Sequence, residues 1–329
     1  MKAIRVEKHG GPEVLELEDI APIEEPGPGQ AVVRIVAAGV NFMDVSQRSG
    51  SYPREVPFTP GAEGAGVVES VGEGVGNVKP SDRVAFTGVP GAYAEAAVAD
   101  ASRLIPLPDD FSFDEGAAFP LQGLTAHYLI HEFRKPKRGD FVLIHAAAGG
   151  VGGLLVQWAR HLGATVIGTT SNEEKARAAR EAGAEHVVVY SDEDFVAETK
   201  RITKGHGADL IIDGVGKTTF KGDLEAVAVR GQIVIFGATS GPADPIAPNS
   251  LMPRAVSVSG GRLQNFIRTR EELMRRANDV IEAIHQGWLK LKISAVMPLA
   301  QASKAHELLE NRRTQGKLVL SIDDSQQAA

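Results

Sequence analysis

The 329-residue chain contains no cysteine. Disulfides, thiolate nucleophiles, cysteine-ligated zinc and iron–sulfur clusters are excluded together, because each needs a thiol sulfur. Positive charge is not in excess either: 35 basic against 42 acidic residues give a net charge of −7. No dense Lys/Arg run is present, and the aromatics, at 5%, do not interleave with basic residues. Nucleic acid and anionic membrane surfaces are therefore not expected as partners. Long hydrophobic runs are missing too. The most apolar stretch, 141–159, is broken by His145, Gln157 and four glycines and reads as a strand running into a helix. The opening Met-Lys-Ala-Ile-Arg-Val-Glu has no signal-peptide core, so a cytoplasmic protein is expected.

The remaining composition, 43% hydrophobic and 23% charged, is that of a soluble globular protein long enough for two cores. Its pattern changes twice. Up to about residue 119, apolar runs at 31–38, 65–71, 83–86 and 92–98 are cut by glycine and proline, as in Pro26-Gly27-Pro28-Gly29. This spacing predicts antiparallel strands in a barrel-like domain, with short helices near 42–50 and 112–119. From Gly123 to Arg262, strands at 141–145, 165–169, 187–190, 210–213 and 232–236 alternate with helices at 152–162, 173–182, 194–202 and 224–229. Such alternation predicts right-handed crossovers and a parallel sheet. A helix at 270–286, the segment 290–298, a helix at 301–311 and a strand at 316–321 form a return to the first domain.

The strongest motif is His145-Ala146-Ala147-Ala148-Gly149-Gly150-Val151-Gly152. Set against G-x-G-x-x-G, its key positions are Ala147, Gly149 and Gly152. The middle glycine admits a pyrophosphate to the backbone, the last allows close helix–strand packing, and the helix N-terminus supplies a positive dipole. Gly64-Ala65-Gly66 imitates the motif but runs into the alternating Val67-Val68-Glu69-Ser70-Val71, so no helix terminus follows. Residues 61–76 read instead as a barrel hairpin.

At the end of the second strand an NAD site wants an acid for the ribose 2′-hydroxyl. Here Gly168-Thr169-Thr170-Ser171-Asn172 carries none, and Glu173 and Glu174 already belong to the next helix. Thr170, Ser171 and Lys175 offer hydroxyls and a cation instead, and Tyr190 ends the third strand beside the adenine position. These residues favour NADPH.

Together with His9-Gly10-Gly11-Pro12-Glu13-Val14-Leu15, Gly39-Val40-Asn41-Phe42-Met43-Asp44, Gly61-Ala62-Glu63-Gly64-Ala65-Gly66 and Gly123-Leu124-Thr125-Ala126, the loop resembles the medium-chain dehydrogenase/reductase superfamily. Within it the chain is similar to the zinc-independent quinone oxidoreductase (zeta-crystallin-like) family. The resemblance implies an α/β protein: a GroES-like β-rich catalytic domain (1–122), a Rossmann-type doubly wound parallel-sheet NADPH domain (123–264) and a return to the catalytic domain (265–329). Zinc-dependent relatives place a Cys where this chain has Asn41, a His at Ala62 and a third ligand near Leu121, so no metal is expected. Without a Lewis acid the suitable substrate is an electron-poor acceptor.

The family aims Asn41, Asp44 and Tyr52 at the nicotinamide, with Asn41 as a donor to the acceptor carbonyl and Asp44 as a catalytic or structural residue. It also lines the nicotinamide half with the turns after the fourth and fifth strands, here Gly214, Gly216, Phe236, Gly237 and Ala238. Gln122 and His127 fall near the crossover between domains. The implied activity is NADPH-dependent, zinc-free reduction of a quinone. The alternative is reduction of an α,β-unsaturated carbonyl compound, an enal or enoyl-thioester, with Tyr52 as proton donor. A homodimer through the edge strand 256–259 is the family's usual assembly.

Overall fold

A computed structural model describes residues 1–311 and 314–322. The chain divides into two compact units, one of Met1–Leu121, Ile267–Ala277 and the chain from Leu291 onward, the other of Gln122–Phe266 and Asn278–Lys290. Residues 278–290 thus group with the parallel-sheet unit rather than with the returning segment.

The first unit is built around the strand Gln30–Val40, buried at nine of its eleven positions. It pairs antiparallel along one edge with Glu63–Val71, while Ala96–Asp100 and Lys317–Ser321 share its other edge at opposite ends. Burial on both faces explains why its sequence is a continuous apolar run rather than an alternation. Arg83–Thr87 and Ile105–Pro106 extend the sheet on one side and Ile293–Pro298 on the other; the last pairs parallel to Lys317–Ser321. Ile4, Val33, Ile35, Phe86, Tyr93, Leu104 and Leu318 form its core.

The second unit holds six parallel strands in the order His186–Val189, Thr165–Thr170, Phe141–Ile144, Ala208–Asp213, Val227–Ile235, Ser257–Gly260. In order of appearance this is 3-2-1-4-5-6, the dinucleotide-binding arrangement, whose topological switch point lies between the first and fourth strands. Leu143, Ile167, Val188, Ile211 and Ile233 bring one buried side chain from each of five strands into one core.

Three local readings need correction. The helix expected at 224–229 is Phe220–Ala226, and the fifth strand starts at Val227, because a bulge lets Ala208 pair with Val227 before the regular register resumes at Leu210–Gln232. The glycine-loop helix starts at Gly150 instead of Gly152. The sequence reading also missed the helix Pro120–His131, which is apolar nearly all round and carries no amphipathic period. Among the described residues no helix is long and apolar enough to cross a membrane.

Candidate active site

The glycine loop leaves the first strand at the switch point, where the His145 amide donates to the Ile212 carbonyl (3.1 Å). Ala146 takes the left-handed conformation, φ 51°, and the Gly149 amide closes onto its carbonyl (2.8 Å). Ala147 replaces the first glycine of the motif at little cost because Gly168 faces it; a Cβ at 168 would lie 2.7 Å from the Ala147 methyl. Gly152 is dictated by packing, since any Cβ there would run into the Ala146 carbonyl.

The helices Glu173–Ala182 and Phe195–Ile202 have side-chain caps, Asn172 accepting from the Lys175 amide (2.9 Å) and Asp194 from the Val196 amide (2.8 Å). The helix Gly150–His161 has only Gly149 at its N-cap and no side-chain cap. Its leading amides, of Gly150, Val151 and Gly152, have no intrahelical acceptors and sit at the positive end of the dipole. This cradle fits an anionic pyrophosphate. The Gln122 side-chain amide lies directly against Gly150. His127 is instead paired with Asp279 (2.8 Å).

Beside the loop, the Tyr190 amide donates to the Thr170 carbonyl (3.0 Å), so Thr170, Ser171 and the half-exposed Tyr190 share one end of the sheet. Lys175 stands in the first turn of the following helix, and Glu173 is held by Arg180 (2.5 Å). On the other side of the switch point two turns interlock. The Asp213 carboxylate accepts from the Val215 amide (2.6 Å) and the Thr219 hydroxyl (2.8 Å), with Gly216 at φ 87°. A Cβ on Gly214 would meet the Phe236 ring at 2.8 Å, and one on Gly237 the Gly214 carbonyl at 2.7 Å. Ala238 closes the second turn by accepting from the Gly241 amide (3.0 Å).

In the first unit, sheet register assembles a buried polar centre. Leu318 pairs with Val40 and Gly64 with Ala38, which brings Asn41, Glu63 and Lys317 together. Lys317 Nζ donates to Glu63 Oε2 and to Asn41 Oδ1 (2.6 Å), while Asn41 Nδ2 donates to Glu63 Oε2 (2.9 Å) and the Gly39 carbonyl (3.2 Å). An ammonium only donates, so it fixes which way the amide faces. Both Asn41 amide hydrogens are then used inside the protein, which leaves none for the acceptor carbonyl envisaged from sequence. Gly39 leaves the room this needs; a Cβ there would lie 2.6 Å from Glu63 Oε2 and 2.7 Å from Lys317 Cε. Glu63 Oε1 also accepts from the Leu121 amide (2.6 Å).

A second buried chain adjoins this centre. Asp44 reaches back to the Asn41 amide (2.8 Å) at the N-terminus of the helix Phe42–Ser49 and accepts from the Tyr93 hydroxyl (3.2 Å). Tyr93 also meets His306 Nε2 (3.1 Å), whose Nδ1 faces Arg48 (3.5 Å), and Arg48 grips Glu310 with two bonds of 2.6 and 3.1 Å. Arginine cannot accept, so His306 Nδ1 carries the lone pair, Nε2 the hydrogen, and the Tyr93 proton goes to Asp44. Burial, reinforced by Arg48, pushes the His306 pKa down to about 3, which keeps it neutral. Tyr52 stands apart, 38% exposed and anchored by its amide on the Ser46 carbonyl (3.0 Å).

Burial raises the Asp44 pKa from 3.8 to about 7, against the lowering effects of the Asn41 amide and the Lys317 charge. The folded chain therefore keeps a proton on Asp44 that the unfolded chain releases near 3.8, so rising pH removes stability until about 7. Asp44→Asn is expected to flatten the fall of melting temperature between pH 5 and pH 7 that the unmodified chain should show. Calorimetry across that range checks it, and parallel profiles would rule out the buried acid.

Sequence and structure comparisons bear on this geometry. The model described as "Alcohol dehydrogenase GroES-like domain" matches residues 27–109, and "Zinc-binding dehydrogenase" matches residues 150–279. A quinone oxidoreductase of Pseudomonas aeruginosa is 41% identical over 322 residues, 97% of this chain and 99% of that protein. The chain belongs to the quinone oxidoreductase family of the medium-chain dehydrogenase/reductase superfamily. A family structure, the Escherichia coli quinone oxidoreductase complexed with NADPH, superposes with a TM-score of 0.94 at 38% identity, covering 98% of this chain and all of that one. A 2-haloacrylate reductase from Burkholderia is as similar, 40% identical over 324 residues, 96% of this chain and 97% of that protein.

The zinc in the second model's description does not fit this family member. The catalytic-ligand positions hold an amide already engaged and an alanine, and a lysine ammonium lies between Asn41 and Glu63, where it would repel a divalent cation. Among the described residues no group of three or more His, Asp or Glu is arranged to hold a metal ion. Glu63, Lys317, Tyr93 and His306 were not singled out from sequence. Glu63 carried a signal, an acid inside a run of Gly, Ala and Val; Lys317 carried none.

Proposed function

We propose that the protein is an NADPH-dependent reductase of quinones that works without zinc. The uncapped helix terminus of the glycine loop carries this reading, with the acid-free strand end beside it. Ala147, Gly149, Gly150, Val151 and Gly152 hold the pyrophosphate, and Thr170, Ser171, Lys175 and Tyr190 take the adenosine end with its 2′-phosphate. The turns at Gly214, Gly216 and Phe236–Ala238 flank the nicotinamide. Bound NADPH supplies the hydride. On the acceptor side Phe42, Met43 and Tyr52, each about 40% exposed, offer apolar surface for a planar ring. Asn41 and Asp44, buried at the start of the helix that carries Phe42 and Met43, support that surface, Asn41 through its fixed amide and Asp44 through its bond to the Asn41 N–H. A cytoplasmic homodimer joined along the edge strand Ser257–Gly260 completes the reading.

A second reading is reduction of a carbon–carbon double bond next to a carbonyl. The 2-haloacrylate reductase among the relatives favours it, and the exposed Tyr52 is its candidate proton donor, since Asp44 is fully buried. Steady-state oxidation of NADPH and NADH by chelator-treated protein, with a benzoquinone, an enal and an enoyl-thioester, separates the two. The quinone reading expects turnover with NADPH and the benzoquinone, insensitive to chelation. Turnover confined to the enal or thioester transfers the activity to double-bond reduction. Lys175→Ala is expected to weaken NADPH by about 10- to 100-fold, the worth of one charge-assisted bond, and to leave NADH unchanged. Equal losses for both dinucleotides would remove Lys175 from the phosphate site.

A further inference from the structure

His145 opens the glycine loop, is 3% exposed and has no part in the reaction above. Its imidazole spans two elements: Nδ1 lies 2.9 Å from Thr169 Oγ1 and Nε2 2.7 Å from Asp223 Oδ1. Thr169 directly precedes Thr170 and Ser171 at the second-strand end. Asp223 belongs to the helix Phe220–Ala226, which follows the fourth-strand turn that Asp213 organises. Phe195 closes the remaining side, edge-on at 5.0 Å. One buried side chain therefore ties the glycine loop to the second-strand end and to the helix behind the fourth strand.

We propose that His145 is a positioning residue of the dinucleotide site, setting the pyrophosphate loop against the second-strand end and the helix behind the fourth. It touches no ligand; it acts through the loop, whose amides it holds in register. The charged groups facing the ring are Asp223 and Asp213, both fully buried, while Thr169 and Phe195 carry no charge. Burial disfavours the imidazolium, but the Asp223 charge and hydrogen bond, with the Asp213 charge, outweigh it and hold the His145 pKa above the ordinary 6.5. As an imidazolium the ring donates from both nitrogens, which matches the two acceptors it meets. Deprotonation at higher pH leaves the Nε2 hydrogen on Asp223 and turns the Thr169 hydroxyl from acceptor to donor toward Nδ1, so both contacts persist, but the one to Asp223 loses its charge pairing and that arm of the clip weakens.

This rests on the reading of the loop as a dinucleotide site, and the test separates the two. Dissociation constants for NADPH and NADH are measured by nicotinamide fluorescence on the full chain, for the unmodified protein, His145→Gln and Thr169→Val. His145→Gln is expected to weaken both dinucleotides by the same factor, about tenfold, since a glutamine keeps only one of the two arms. Thr169→Val preserves shape, removes one arm, and is expected to weaken both by about threefold; it decides the matter if His145→Gln does not fold. With NADH, which has no titrating 2′-phosphate, affinity of the unmodified chain is expected to fall as rising pH deprotonates the ring, beyond the ordinary imidazole range, and that of His145→Gln to stay level. Unchanged constants in the variants, or parallel pH profiles, overturn the proposal alone. Failure of the unmodified chain to bind either dinucleotide overturns both readings.

Discussion

Lys317→Met is expected to lower the melting transition of the first unit by about 10 °C. The substitution strands the Glu63 carboxylate, fully buried, with the Asn41 amide and the Leu121 N–H as its remaining donors among the described residues. Removing one member of a buried ion pair costs about 3–5 kcal/mol, and each kcal/mol shifts a transition of this size by about 2–4 °C. Glu63→Met in the same chain is expected to restore most of the loss, because a well-packed apolar pair of similar volume is often as stable as a buried ion pair. Calorimetry is the suitable measurement, since both tryptophans, Trp158 and Trp288, belong to the other unit and their fluorescence would report on it. The double variant also separates folding from function. The Asn41 amide, no longer oriented by Lys317, is expected to cost turnover with a quinone while NADPH affinity is unchanged. A double variant as active as the unmodified chain would mean the cluster serves folding only, and a single variant that melts normally would remove the buried pair itself.

Gly152→Ala is expected to weaken NADPH by about 10- to 100-fold, the worth of one charge-assisted hydrogen bond or slightly more. The added methyl would lie 3.0 Å from the Ala146 carbonyl carbon and 3.0 Å from Ala147 Cα, and closer still to the carbonyl oxygen. These are backbone atoms and cannot rotate away, so helix and loop must separate and the leading amides leave their register. The adjacent Gly153 is the control. A Cβ there would meet only the Ala147 carbonyl, at 3.9 Å, so Gly153→Ala is expected to bind NADPH normally and to gain up to about 1 kcal/mol of helix stability. Binding titrations on the two variants check the pair. Equal behaviour at 152 and 153 would show that close approach of loop and helix does not set the affinity.

Much of this protein was legible in order along the chain. The alternation of strand and helix after residue 123, the glycine loop and the acid-free Thr169-Thr170-Ser171 end are local patterns, with each signal within about twenty residues of its partners. Zero cysteines settled the absence of thiolate ligands before any folding was considered. Local signals failed where geometry is cooperative. The fifth strand begins at Val227 because a bulge opposite Ala208 lets it pair early, and no residue in 227–235 announces that.

The centre of the first unit belongs wholly to tertiary structure. Asn41, Glu63 and Lys317 meet because three strands far apart in sequence pair in one register; a slip of one residue would turn Lys317 away from Glu63. Nothing near Lys317 in the sequence signals its burial, for its partners lie 254 and 276 residues away. His145 follows the same logic: its motif position was visible at once, but its partners Thr169 and Asp223 come from two other elements of the sheet unit. Composition and short spacing determined the fold class and the cofactor loop, because backbone geometry and hydrophobic period act over neighbouring residues. Which polar groups are buried together, and so which charges and protons the site holds, was decided only when distant strands closed around them.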